Sequence, residues 1–413
     1  MTADPSRLQH LSYVAEGAWG EVSTSMAGAQ QIPHVGMVDL GGLRQAMIEV
    51  GRAQQYKNAI DKRVVGPWSD ARFTFRVELT GHGGATSSAV TISELENLIA
   101  WAHGAVVRTS TSGHTFGAGS TESALVTAAA PPAMGVGGLF RVGDKKDTRG
   151  DGQWGVVEAF SGTALSSEVA LPVAPNNGDV LHTAVNVYTY ESTFTLSSKR
   201  FNIKTADEQW VLHGCFAEQI TYVGGNAGEL LYAEITVRVS WGEQVSATFP
   251  DTTTTAAWTY NGAPNAAGGI FMQDYGTVTR QILACRQLAI NFQLGVRPLF
   301  SHAGADSYQV ITGAKRVQDT CSVQLVIDAT GPSAAPTWRT KALARTPQHL
   351  LAGYSVGAGT AMACYMPLLQ WNEQTPVQTA GDDLNRLVLN LQASTDTSET
   401  DELSRSMLRW GFA

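Results

Sequence analysis

Gly353-Tyr-Ser-Val-Gly357 has the G-x-S-x-G spacing of a serine nucleophile on a strand-to-helix elbow. That chemistry needs an acid and then a histidine later in the chain to take the serine proton. His349 is the last histidine, so the order is never completed and the run is read as a chance match. Glycoside hydrolysis would need two carboxylates facing one cleft, and no local pattern marks such a pair. The glycine clusters Gly81-His-Gly-Gly84 and Gly135-Val-Gly-Gly138 lack the residues that complete a phosphate-binding loop or a dinucleotide fingerprint.

Metal chemistry is equally unmarked. The nine histidines show neither H-x-H nor H-E-x-x-H spacing. Asp144, Asp147 and Asp151 miss the ligand spacing of a calcium loop, and Lys145, Lys146 and Arg149 beside them oppose a cation. Arg149-Gly-Asp151 spells a cell-attachment tripeptide but reads as a solvated turn. Cys215, Cys285, Cys321 and Cys364 are widely spaced, with no C-x-x-C pair, so they read as reduced, buried small hydrophobes. The expectation is a chain without catalysis, metal or cofactor.

The elements that position these residues are mainly strands. Phe73, Phe75, Val77 and Leu79 alternate with Thr74, Arg76 and Glu78, the period-2 pattern of a strand with one apolar and one wet face. The same pattern recurs over 286–294, 321–328 and 387–391. A central hairpin runs from Trp210 to Val223, turns at Gly224-Gly-Asn-Ala-Gly228 and returns over Leu230 to Ser240. There Ile235, Val237 and Val239 are expected inward, with Thr236, Arg238 and Ser240 outward. A helix is expected over Ser93 to His103, where Ser93 and Glu96 form a capping box and Gly104 suits the C′ position. A second, around Thr337 to Leu351, carries Trp338, Ala342, Leu343, Leu350 and Leu351 on a loose stripe that Pro347 interrupts, so a shorter helix plus a turn is expected there. Residues 43–56 fit a helix or an extended segment.

The 413 residues divide into an extended N-terminal arm, 1–70, and a β domain, 71–413. An insertion at about 105–184 carries a β-hairpin, Leu139–Val142 with Trp154–Phe160, and a loop or linker covers about 245–280. Charged residues are only 15% of the chain, against roughly 25% in soluble domains, so much of the surface is expected to make contacts. The net charge of −8 and the lack of a basic stripe argue against a protein that holds nucleic acid through its phosphates. No apolar run approaches a membrane span of ~20 residues, and the polar opening predicts no signal peptide and assembly in a cytoplasm.

In order, these features resemble the tail tube proteins, or major tail proteins, of long-tailed bacteriophages. The resemblance runs through Glu16-Gly-Ala-Trp-Gly20 and Ile32-Pro-His-Val35 in the arm, then Arg72-Phe-Thr-Phe-Arg-Val-Glu-Leu-Thr-Gly-His-Gly83 before the capped helix. It continues through Ala184-Val-Asn-Val-Tyr-Thr-Tyr190, Arg200-Phe-Asn-Ile203 and the central hairpin to the closing strands. The length of 105–184 and the polar tail 393–402 depart from that pattern.

The resemblance implies a β-sandwich or open barrel with one flanking α-helix, and six subunits joined into rings that stack into a tube. Double-stranded DNA would pass through the lumen without specific binding. Other implied partners are the tape-measure, tail terminator and baseplate proteins, and the implied location is the virion tail. Six copies at −8 each would carry −48, and a lumen bearing part of it would repel phosphates. Glu229, Glu234 and Thr236 are candidates for the lumen or a subunit contact. Asp144, Lys145, Lys146, Asp147, Arg149 and Asp151 are candidates for contacts between rings. The alternative is another phage structural β-protein, a baseplate or receptor-binding protein or a capsid-decorating one.

Overall fold

A computed structural model describes residues 10–21, 29–32, 34, 36, 38–43, 47–50, 62–65, 71–79, 94–107, 114–130, 135–143, 152–189, 196–204, 209–224, 231–244, 269–277, 280–301, 310–328, 334–354, 361–380 and 383–413. The described residues are mainly β, 60% strand and 8% helix, with antiparallel sheets that curve into a half-barrel. Period-2 patterning therefore governs most of the chain.

Six neighbouring strands of the main sheet form one curved wall. In spatial order they are Arg72–Glu78, Tyr232–Arg238, Gln209–Gly224, Cys285–Gln293, Thr320–Asp328 and Asp383–Ala393, each antiparallel to the next. Their inward rows are apolar and buried. Phe73, Phe75 and Val77 are followed by Ala233, Ile235 and Val237, then Ile220 and Tyr222, and the rows continue to Leu387, Leu389 and Leu391. Burying each large side chain is worth about 1.5–3 kcal/mol, so this shared row is the main reason that the six strands cohere.

The helix Glu94–His103 covers the inner side, with Leu95, Leu98, Ile99 and Ala102 buried in the same core. It ends as expected at Gly104, whose φ of 119° a side chain would strain. Ser93, the expected cap, lies outside the described residues. Phe201 sits where several elements meet, with ring centroids 5.2 Å from Phe73, 5.8 Å from Trp101 and 5.9 Å from Tyr13.

Two long strands bend the sheet around this core. Gln209–Gly224 pairs through its first half with Lys199–Lys204 and Trp241–Gln244, and through its second with Tyr232–Arg238 and Cys285–Gln293. The change of partner falls at Gly214, φ 60°, and at a bulge between Ala217 and Gln219. A Cβ on Gly214 would lie 2.4 Å from Ser240 Oγ, so close packing and backbone both require glycine. Met362–Trp371 does the same on the far side, pairing with Gln348–Tyr354 and Arg409–Phe412 and then, at its end, with Asp383–Ala393.

The N-terminal arm is tied into this sheet. His10–Ala15 pairs with Lys199–Lys204 and with Gln30–Gln31, and Leu11, Tyr13, Ile32 and Val38 are in the main core. Met47–Val50 is a strand paired with Lys62–Val65, which resolves 43–56 as extended there. Between residues 114 and 183, six short strands make a separate sheet with its own core, Phe116, Leu125, Phe140, Val142, Val157, Leu165, Leu171 and Leu181. Leu139, Trp154 and Val156 pack with Leu351, Ala363 and Tyr365 of the main sheet. Trp154 lies so close to Gly353 that a Cβ there would meet its indole at 2.7 Å.

Three expectations need correction. The second helix is the shorter one expected, Ala334–Leu343, followed by a turn before Pro347, but Leu350 and Leu351 belong to the strand Gln348–Tyr354 rather than to the helical stripe. Main-sheet neighbours pair on both its edges and every residue of it is buried, so it shows no alternation and mimics a helical stripe. Ser240 is buried rather than outward, because its hydroxyl donates to Gly214 O at 2.8 Å and accepts from Trp19 Nε1 at 3.1 Å. Within the expected loop 245–280, Ile270–Asp274 is a strand paired with Gln348–Tyr354.

Candidate functional site

The outward rows of the six-stranded wall are mixed: two are polar throughout, the next runs Glu78, Tyr232, Val223, Ala289, Gln324 and Asn390, and another sets Val326 beside Val388. Following the register across the strands, Arg76 lies opposite Glu234, then come Thr221, Asn291, Ser322 and Gln392. The next row runs Thr74, Thr236, Gln219, Gln293 and Thr320. At about 4.8 Å per strand, this surface is roughly 24 Å wide.

Its middle is made of amides and hydroxyls that bond to one another. Gln219 Nε2 donates to Asn291 Oδ1 at 3.0 Å and to Thr221 Oγ1 at 3.2 Å, Gln324 Nε2 donates to Asn390 Oδ1 at 3.1 Å, and Thr74 and Thr236 share a hydrogen bond of 3.2 Å. Such groups are well solvated and carry no net charge to attract or repel a polyanion over distance.

Charge sits toward the margins, in cation–carboxylate groups. Arg72 forks onto both oxygens of Glu218, whose Oε1 is also 3.5 Å from Arg238 Nη1. Arg76 Nε donates to Glu234 at 2.6 Å. Arg286 Nε reaches both oxygens of Asp328, at 2.7 and 2.8 Å, and Arg386 Nε is 3.8 Å from the same carboxylate. Burial raises the carboxyl of Glu78 above its ordinary range at the end of its strand. The described face therefore balances five arginines against four carboxylates.

Of the candidate residues, Glu234 and Thr236 stand together on this face, and neither is buried. Glu229 lies outside the described residues, as do Asp144, Lys145, Lys146, Asp147, Arg149 and Asp151. Ser355 to Gly357 of the G-x-S-x-G run lie outside them too.

Sequence reasoning missed two buried polar clusters. In the first, the Glu16 carboxylate, fully enclosed, accepts from Gly20 N at 3.0 Å, Gly214 N at 3.1 Å and Ser198 Oγ at 2.5 Å, with His213 Nδ1 at 3.6 Å. Burial pushes this carboxyl up, but His213, Ser198 and the two backbone N–H groups outweigh it and hold the group below its ordinary value. The second joins the inserted sheet to the main one. His349 Nδ1 shares a 2.7 Å hydrogen bond with Tyr365 OH and is 3.4 Å from Glu168, while its ring stacks on Tyr275 at 4.9 Å. Burial lowers the His349 pKa to about 4 and raises that of Glu168.

Glu168 and Tyr365 both approach the same ring nitrogen, so the imidazole does not bridge them as a proton relay, and Tyr365 is fully buried, so no substrate reaches its hydroxyl. We read the cluster as a structural joint. The cysteines are free, three of them buried, and burial pushes the Cys285 and Cys364 thiols up to about 12, which makes them poor nucleophiles. Among the described residues no group of three or more histidines, cysteines or carboxylates is placed to hold a metal ion, and no helix is long and apolar enough to cross a membrane. The chain matches no family model and no curated protein.

Proposed function

We propose that this chain is a structural subunit of a bacteriophage tail tube, forming stacked hexameric rings, and that the polar face of the six-stranded wall lines the channel through which double-stranded DNA passes. The observation that carries the reading is the division of this wall into a buried apolar inner face and an outer face with rows of uncharged amides and hydroxyls, paired charges at its margins, and half-buried apolar positions at Tyr232, Val223, Ala289, Val326 and Val388. A channel for DNA needs a largely wetted wall that does not grip phosphates. A face without unpaired cations has little counterion release to drive phosphate binding.

The resemblance set out from the sequence supplies the rest of the reading. It adds a homo-oligomer, a place in the virion tail, and contacts with tape-measure, terminator and baseplate proteins. Ring formation would also cover sheet edges that are a hazard in a lone subunit. No catalytic step is assigned to the chain.

The test is to place a cysteine at Asn291 on the wall and label it with maleimide–gold in the free subunit before assembly. Gold confined to the bore of the resulting tubes is the expected result. Gold on the outer surface would contradict the assignment of this face.

A further inference from the structure

We infer that the channel-facing wall is a latent polyanion-binding surface, whose arginines are held off phosphate by three carboxylates, Glu218, Glu234 and Asp328. The inference rests on the reading of this wall as the DNA-facing one. Its ligand is the phosphodiester backbone, met without regard to sequence.

Five arginines lie on the same side of the sheet: Arg72, Arg76, Arg238 and Arg386 by the alternation of their strands, and Arg286, the extra residue of a bulge between Cys285 and Gln287, through its bonds to the outward Asp328. Guanidinium offers a planar fork of donors that fits carboxylate and phosphate oxygens alike. On this wall each of the five already faces a carboxylate. Arg72 engages both oxygens of Glu218, and Arg286 Nε engages both oxygens of Asp328.

Each of the three carboxylates is also economical. Glu218 stands at the bulge between Ala217 and Gln219, which brings it to Arg72 and Arg238 together. Asp328 likewise serves Arg286 and Arg386. Glu234 serves Arg76 from the opposite position on the neighbouring strand. Three acids thereby occupy five cations.

These pairs are partly exposed, with 33% of the side chain accessible for both Glu234 and Asp328. Exposed ion pairs contribute little to stability, typically under about 1 kcal/mol, so structural support does not account for this concentration of pairs on one face. Control of charge toward a passing polyanion does. An unpaired arginine row would release counterions on meeting DNA and hold it, and the carboxylates remove that tendency while leaving short-range hydrogen bonding intact.

The test uses the full-length subunit before assembly and a short random-sequence DNA duplex. The triple variant Glu218→Gln, Glu234→Gln, Asp328→Asn is compared with wild type and with a control of equal charge change, Glu158→Gln, Glu243→Gln, Glu373→Gln, at exposed positions elsewhere. At about 50 mM salt the wall variant is expected to bind the duplex at least tenfold more tightly than the control, with a steeper log–log salt slope. The single variant Asp328→Asn, which removes the carboxylate shared by Arg286 and Arg386 at a half-exposed site, guards against misfolding of the triple variant. It should bind more tightly than the control, with a steeper salt slope.

Equal binding by wall and control variants, or no gain from Asp328→Asn in a protein that still melts cooperatively, would overturn the inference. Tube formation by wild type is scored separately by electron microscopy. Tubes without a gain in binding would reject this inference alone, and a gain in binding without tubes would reject the tail-tube reading.

Discussion

Arg316 Nη1 donates to the carbonyl oxygen of His103 at 2.9 Å, and the same guanidinium is paired with Asp319. His103 is the last residue of the helix Glu94–His103, so a cation from the strand Val310–Arg316 meets the negative end of the helix dipole. Both Arg316 and Asp319 are nearly enclosed, with 7% of each side chain accessible, and burial lowers the Arg316 pKa to about 10.

Removing Arg316 should therefore leave Asp319 buried without its cation and a helix carbonyl without its donor. We expect Arg316→Gln to destabilise the subunit by about 3 kcal/mol, near the lower end for breaking a buried pair. The change is read from the urea midpoint. A loss below about 1 kcal/mol would show that the pair is solvated in solution.

The Glu16 cluster gives a pH signature. Its folded pKa is lowered from 4.5, so the carboxylate contributes stability above the unfolded value and loses it as pH falls through the folded one. Glu16→Gln should lower stability at pH 7 by about 1–3 kcal/mol, as expected for a buried hydrogen-bonded charge. It should also remove part of the acid slope below pH 4.5 in thermal melts of wild type. An unchanged slope would contradict the assignment.

His349 and His103 act in a higher window. Burial lowers their pKa values from 6.5 to about 4 and about 3, so between those values and 6.5 the unfolded chain binds more protons than the folded one. Stability should therefore fall as pH drops from 6.5 toward 4. His349→Gln should flatten this fall, measured by urea titrations at a series of pH values. A slope equal to that of wild type would place the titration elsewhere.

The docking of the inserted sheet depends on Trp154 over Gly353. Trp154→Ala should cost about 3–5 kcal/mol and loosen this sheet from the main one. Hydrogen exchange should then rise in Gln348–Tyr354 and in Leu139–Gly143 together. A rise confined to the inserted strand would show that the two sheets are not coupled through this side chain.

Much of the wall is legible in the sequence because strands with one dry and one wet face must alternate, and Phe73 to Leu79, Ile235 to Val239 and Leu387 to Leu391 do so. Glu234 and Thr236 could be placed outward on that ground alone. What does not alternate is hidden: Gln348–Tyr354 is covered on both faces and imitates a helix. The charge balance of the wall was hidden for another reason. Arg72 meets Glu218 and Arg286 meets Asp328 across separations of 146 and 42 residues, and such register is set by the packing of distant strands. The Glu16 cluster likewise needs Gly214, 198 residues away.

The central claim is most directly tested by negative-stain electron microscopy of the purified chain before and after concentration. The account predicts six-fold rings and hollow tubes. Monomers or trimers that never polymerise would contradict it, and would favour a receptor-binding or decorating protein of the same kind of particle.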